Sequence, residues 1–79
     1  MSESDSEHVV DATGLKCPEP VMMLHAAIRR AGSGEVVCLT ATDPSTQRDV
    51  ANFCEFLGHN LLESTADNGQ FIYRVRKAG

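Results

Sequence analysis

Aromatic side chains are scarce in this chain: tryptophan is absent, and one tyrosine and three phenylalanines make up 5% of the residues. So few stacking platforms argue against a protein that reads single-stranded nucleic acid by base stacking. Positive charge is scarce as well. Seven lysines and arginines stand against eleven acids, a formal net charge of -4, which argues against tight non-specific nucleic-acid binding. Cysteine is limited to three residues, an odd number, and the closest pair, Cys38 and Cys54, is sixteen positions apart. That spacing suits neither a disulfide scaffold nor a zinc site, and the absence of a Cys-x-x-Cys pair weakens the case for a dithiol mechanism. His8, His25 and His59 have no ligand-like spacing and no acidic cluster beside them, so no metal is expected. No apolar run approaches the roughly 18 residues of a membrane span, and no basic-then-apolar leader opens the chain, so a cytoplasmic setting without membrane association follows.

At 79 residues there is room for one domain and no deep cleft. Glu3, Asp5 and Glu7 fall in the first seven positions, and removing them leaves eight acids against seven bases, an almost neutral body behind an acidic leader. The serine-rich, acidic stretch 1–7 is expected to be a disordered leader, with the domain occupying residues 8–79.

The pattern that follows alternates between two periods. His8 to Ala12 suits a short strand, and Thr13-Gly14 a turn. From Pro18 to about Ala31, the residues Val21, Leu24, Ile28 and Ala31 recur at helical spacing, with Arg29 and Arg30 in the last turn and Gly32 available as a left-handed cap. Glu35 to Thr42 holds a β-branched run of strand length. Asp43-Pro44 reads as an N-cap followed by proline at the first helical position, ahead of an apolar stripe of Val50, Phe53 and Leu57 that ends at Gly58. Asn68-Gly69 supplies the two left-handed positions of a type I′ turn, so residues 61–66 and 70–76 are expected to form a hairpin. Continuous pairing away from that turn sets Ser64 opposite Tyr73 and Leu62 opposite Val75 on the core face, and Glu63 opposite Arg74 on a wetter face. The resulting fold class is α/β, a two-layer β-α-β-α-β-β sandwich whose mixed four-stranded sheet carries both helices on one face.

Chemistry concentrates at Gly14-Leu15-Lys16-Cys17-Pro18-Glu19-Pro20. A thiol at the start of a helix meets free N–H groups and the positive end of the dipole, which are expected to lower its pKa from about 8.5 and favour thiolate. Pro18 and Pro20 fix φ and preorder the loop, and a proline directly after Cys17 biases that residue away from helical geometry, so the sulfur is presented rigidly. Lys16 either steadies a negative sulfur or faces solvent, and Glu19 suits the first helical turn. One of Met22 and Met23 must point away from the apolar face, making Met22 a candidate soft docking contact. Cys38, within a strand, and Cys54, beside an apolar stripe, are expected to pack. Arg48, Arg74, Arg76 and Lys77 read as a solvated surface more readily than as a basic patch.

The run Cys17-Pro18-Glu19-Pro20-Val21-Met22-Met23 after Gly14-Leu15-Lys16 resembles the Cys-Pro-x-Pro signature of the TusA/SirA-like sulfur carriers. The likeness extends to Asp43-Pro44 with Arg48-Asp49, to residues 53–57, and to the closing Tyr73-Arg74 and Arg76-Lys77. The resemblance implies a protein-to-protein sulfurtransferase in which Cys17 accepts persulfide sulfur from a cysteine desulfurase. The desulfurase would carry pyridoxal phosphate, and this chain no cofactor of its own. The sulfur would pass to a further relay protein and, in the TusA branch, to 2-thiouridine at the tRNA wobble position, with tRNA contacted only indirectly. Arg48 and Asp49 join Met22 as candidate partner contacts.

Three alternatives stay open: a carrier serving molybdenum-cofactor supply or sulfur oxidation, a one-cysteine redox protein, and a small RNA-binding or regulatory module using the open sheet face.

Overall fold

The computed structural model describes residues 7–78, so the expected disordered leader lies outside the described residues apart from Glu7, whose backbone opens the first strand. The elements are β1 (Glu7–Ala12), α1 (Glu19–Arg30), β2 (Val36–Ala41), α2 (Thr46–Leu57), β3 (Asn60–Asp67) and β4 (Gln70–Arg76). The sheet order is β1-β2-β4-β3, with β1 parallel to β2 and β4 antiparallel to both its neighbours. Among the described residues no helix is long and apolar enough to cross a membrane.

One face of the sheet makes the core. In β2, Val37, Leu39 and Ala41 are buried while Val36, Cys38 and Thr40 alternate onto the half-exposed face. The buried set joins Tyr73 and Val75 of β4 with Leu24, Ala27 and Ile28 of α1 and Val50 and Cys54 of α2 in one cluster, so both helices cover the same face. Each large apolar side chain removed from water there contributes about 1.5–3 kcal/mol before the entropy of ordering it is subtracted.

Both helices are rotated slightly from the expected stripe. Pro20 and Ala27 of α1 are buried and Val21 is half-buried. In α2 the buried line is Thr46, Val50 and Cys54, while Phe53 is half-buried and Leu57 is 41% exposed. Cys54 therefore packs as expected, whereas Cys38 lies on the open sheet face and not in the core.

The caps differ from the sequence expectation in two places. Helix α1 ends with Ala31 extended at φ -74° and ψ 153°, its N–H still bonded to the Ala27 and Ile28 carbonyls. Positive φ falls on Gly34, at 83°, and not on Gly32. Lys77 takes up the end of the helix by donating to the Ala31 carbonyl at 2.7 Å, a cation where the dipole is negative. Helix α2 starts two residues later than Asp43-Pro44 implied, because Thr46 N–H and Gln47 N–H close a tight turn onto the Asp43 and Pro44 carbonyls first. Its other end matches the expectation, with Gly58 left-handed at φ 80°.

The hairpin matches the expected register from Asp67↔Gln70 to Glu63↔Arg74, around Asn68 and Gly69 at φ 53° and 79°. Beyond Glu63 it departs. A bulge at Leu62 shifts the pairing to Leu61↔Val75 and Asn60↔Arg76. The extra residue turns Leu61 onto the core and leaves Leu62 43% exposed, because burying one of two adjacent leucines requires the other to face out. Glu63 and Arg74 pair at 3.6 Å on the wetter face, as expected.

Candidate functional site

Parallel strands β1 and β2 end side by side at Ala12 and Ala41, and both helices begin above them. Carboxyl ends of parallel strands are where α/β folds place their chemistry, since loops and free helix N–H groups converge there. Cys17 sits at this end, exposed, on the loop from β1 to α1.

That loop is pinned along its length. The Asp11 carboxylate Oδ1 accepts from the Thr13 N–H and hydroxyl at 3.0 and 2.7 Å. Gly14, with φ 82°, donates its N–H to Thr42 Oγ1 at 2.8 Å, tying the loop to the end of β2. Leu15 N–H returns to the Ala12 carbonyl, and Glu19 N–H to that of Lys16 at 2.9 Å. The Cys17 N–H itself donates to Asp43 Oδ2 at 2.7 Å.

Asp43 is therefore more than a helix cap. Its Oδ1 accepts from Ser45 N–H at 3.0 Å while Oδ2 holds Cys17, so one carboxylate joins the starts of the two helical segments. Those two N–H donors keep its pKa below the usual carboxylate range, with Lys16 adding a smaller push in the same direction. Its main chain is anchored from below. Thr46 Oγ1 donates to the Asp43 carbonyl at 2.7 Å and lies 2.8 Å from the Tyr73 hydroxyl, which must then be the donor to Thr46. Burial pushes the Tyr73 phenol up, consistent with a protonated donor. The core thus supports the cysteine loop through Tyr73, Thr46 and Asp43 in series.

The ionisation of Cys17 runs opposite to the expectation from a helix start. Its thiol pKa is raised, first because the Asp49 carboxylate accepts a hydrogen bond from it. Loss of surrounding water and the charge of Asp49 add to this, as does the charge of Asp43, and the Ser45 hydroxyl alone opposes them. The reason is the size of the charges: a helix start presents about half a unit of positive charge, whereas each nearby carboxylate presents a full negative one. The start of α1 is not the only element that acts on the sulfur. The sulfur also faces α2, where Ser45 and Asp49 stack one turn apart, Asp49 N–H donating to the Ser45 carbonyl at 3.0 Å.

The remaining candidate residues divide. Pro18 is the residue preceding α1, across a cis peptide bond from Cys17, and Pro20 is fully buried, anchoring the first turn against the core. Lys16 and Glu19 are exposed, one on the cysteine loop and the other at the start of α1. Met22 is 61% exposed and shares a shallow apolar groove with Leu15, Glu19, Met23 and Ala26, one helical turn from the cysteine loop. Arg48 projects into solvent 3.8 Å from Asp49, whose own side chain is only 20% exposed. Arg48 and Lys77 lie at opposite ends of the sheet, so the four C-terminal and helical bases form no common patch. Ser45 was not singled out in the sequence. Its i, i+4 spacing to Asp49 was visible, but nothing in the sequence says that this face of α2 meets Cys17.

Among the described residues no three histidine, cysteine or acidic side chains are grouped to hold a metal ion. His8 bonds Glu35 at 2.7 Å, and His25 and His59 flank Phe53 with ring centroids 5.5 and 5.7 Å away.

A two-layer α/β sandwich that holds one exposed cysteine on a pinned loop defines a small thiol-presenting protein. The chain matches the family model described as sulfurtransferase TusA over residues 8–77. It is 52% identical over 77 residues to the sulfur carrier protein TusA of Pseudomonas putida strain GB-1, covering 98% of this chain and 96% of that one. The TusA of Pseudomonas aeruginosa strain LESB58 is 52% identical over 69 residues, 87% of each chain. A crystal structure of a SirA-like protein from Desulfitobacterium hafniense superposes with a TM-score of 0.79 at 25% identity, covering 90% of this chain and 97% of that one. The chain belongs to the TusA family of sulfur carriers.

Proposed function

We propose that Cys17 carries the sulfur. In this reading it takes a persulfide sulfur from a cysteine desulfurase and hands it to a further relay protein, a cytoplasmic sulfurtransferase activity directed to 2-thiouridine at the tRNA wobble position. The observation that supports it is the presentation of Cys17: exposed, beyond a preordered loop, and held by Asp43 through its N–H.

The step balances without a cofactor in this chain. The Cys17 sulfur, as thiolate, attacks the terminal sulfur of the donor R–S–SH, the donor S–S bond breaks, R–S⁻ departs and takes up the proton Cys17 gave up, and Cys17–S–SH remains. No net oxidation occurs. Pyridoxal phosphate belongs to the desulfurase that forms R–S–SH. Rigid presentation lowers the ordering cost when large partners dock in turn, and exposed Met22 offers them a polarizable contact near the sulfur.

Intact-mass analysis after incubation with a cysteine desulfurase and cysteine tests the reading. Wild type should gain about 32 Da, one sulfur atom, as should C38S and C54S, while C17S should gain nothing. Sulfur on C17S would sink the assignment. Normal tRNA thiolation in cells lacking the protein would leave carriage standing and redirect it to another pathway.

A further inference from the structure

The two edges of the sheet are guarded differently. The β3 edge carries the Leu62 bulge and the charge of Glu63, both of which discourage a further strand. The β1 edge pairs with β2 alone, holds no proline, lysine or bulge, and leaves Val9 78% exposed. Beside it, between Val9–Asp11 and α1, runs a groove of about 350 Å³ walled by Met23, Ala26 and Arg30. Glu19, Met23 and Ala26 line its continuation toward the cysteine loop.

Glu19, Met23, Ala26 and Arg30 follow one another at spacings of four, three and four, so they form one stripe of α1 along that edge. The stripe is self-complementary: laid antiparallel on a copy of itself, it sets Glu19 against Arg30 and Met23 against Ala26. Among the described residues neither the Glu19 carboxylate nor the Arg30 guanidinium has an ion pair within the chain. We propose that a second copy of this chain docks here about a two-fold axis, with β1 pairing antiparallel to β1 and α1 packing antiparallel to α1, so that the two sheets join into one with all helices on the same face.

Three features of the fold agree on that axis. Two helices roof four strands, so α1 covers about two strand widths, roughly 10 Å, and pairing β1 with β1 sets the two α1 axes at about the 8–10 Å of packed helices. The middle of the stripe, Met23 and Ala26, shares its groove with Val10, the middle of Val9–Asp11. An axis perpendicular to the sheet keeps core and open faces aligned only when residues an even number apart are opposed, and Val10 opposite Val10 satisfies this. Val9 then lies opposite Asp11 of the second copy, and Arg30 of the second copy reaches Glu19, while Cys17 stays outside the stripe. Exposed ion pairs are individually weak, so the contact is a reversible one.

Sedimentation equilibrium of the full chain tests the pairing, with reductant present so that exposed thiols form no disulfide and circular dichroism to confirm that each variant is folded. The mass of wild type should rise from 8.6 kDa toward twice that value as the chain concentration approaches about 1 mM. E19R and R30E, each of which opposes like charges twice across the axis, should associate about tenfold more weakly or less. An equimolar mixture of E19R with R30E should recover association, because each mixed pair sets opposite charges together at both contacts. A26E, at an exposed position in the middle of the stripe, should weaken association as well. A wild type that stays at 8.6 kDa overturns the proposal, as do charge variants that associate like wild type, a mixture that recovers nothing, or an A26E that associates unchanged.

Discussion

Removing the hydroxyl of Thr46 should cost more than removing that of Tyr73, and removing both should cost less than removing Thr46 alone. The three groups form a directed chain, Tyr73 hydroxyl to Thr46 Oγ1 to the Asp43 carbonyl, at 2.8 and 2.7 Å, with Thr46 and Tyr73 each 1% exposed. Tyr73→Phe deletes one buried bond and leaves Thr46 still donating, a loss of about 1 kcal/mol or roughly 4–8 °C in Tm for a domain of this size. Thr46→Val keeps the shape but deletes both bonds, and it strands the Tyr73 hydroxyl in the core. The Asp43 carbonyl keeps the Thr46 N–H at 3.0 Å, so the stranded phenol is the main penalty. The total should be about 2–3 kcal/mol. In the double variant nothing polar is stranded, so adding Tyr73→Phe to Thr46→Val should restore about 1 kcal/mol. Urea denaturation followed by circular dichroism on the four proteins measures the cycle. Additive losses would refute the direction assigned to the chain and its role in supporting the cysteine loop.

Other outcomes follow from the bulge, the turn and the carboxylates. Leu61→Ala should cost about 1–2 kcal/mol and Leu62→Ala under about 1 in the same denaturation assay, the reverse of what a regular hairpin register implies. Gly69→Ala should cost about 1–2 kcal/mol, since φ is 79° and nothing lies within 4 Å of an added Cβ, so only backbone strain acts. Glu35 bonds His8 and the Gly32 N–H, which lower its pKa below the usual glutamate value. Its contribution is therefore fully present above the unfolded carboxylate range, about pH 4.3, and lost as pH falls through the lowered folded value, so Glu35→Gln should flatten that part of the acid limb of a Tm against pH curve. Burial lowers the His59 pKa, with the charges of Lys77 and His25 assisting, and its Nδ1 accepts from the Ala78 N–H at 2.9 Å. Stability from this contact is present above about pH 6.5 and is lost below it as the unfolded chain binds the proton first, a slope that His59→Asn should remove.

Much of this fold was legible because its signals are local. The Asn68-Gly69 turn, the left-handed Gly58, the β-branched run of β2 and the helical periodicity of residues 19–30 each depend on neighbours a few positions away. The Leu62 bulge was not legible, since pairing counted outward from a turn assumes no interruption, and only the core decides which of two adjacent leucines it takes. Strand order was equally hidden. β4 sits between β2 and β3 because its Tyr73 and Val75 need cover that an edge position does not provide, while β3 is exposed along nearly all its length. Cys38 illustrates the same limit: a strand residue faces the core or the open side according to register, and its strand pattern alone was consistent with either.

By itself the sequence determined that one cysteine is presented on a proline-ordered loop at the start of a helix, without a dithiol partner in Cys-x-x-Cys spacing, because φ restriction and helix entry are properties of Cys17 and its immediate neighbours. Only the tertiary structure decided what surrounds that sulfur. Folding brings the start of α2 against the loop before α1, twenty-six positions away in sequence from Cys17 to Asp43, and so sets a carboxylate and a hydroxyl beside the thiol. Electrostatic interaction depends on distance in space, and the full charges of Asp49 and Asp43, which raise the Cys17 pKa, act against the partial charge of the helix that the sequence made visible.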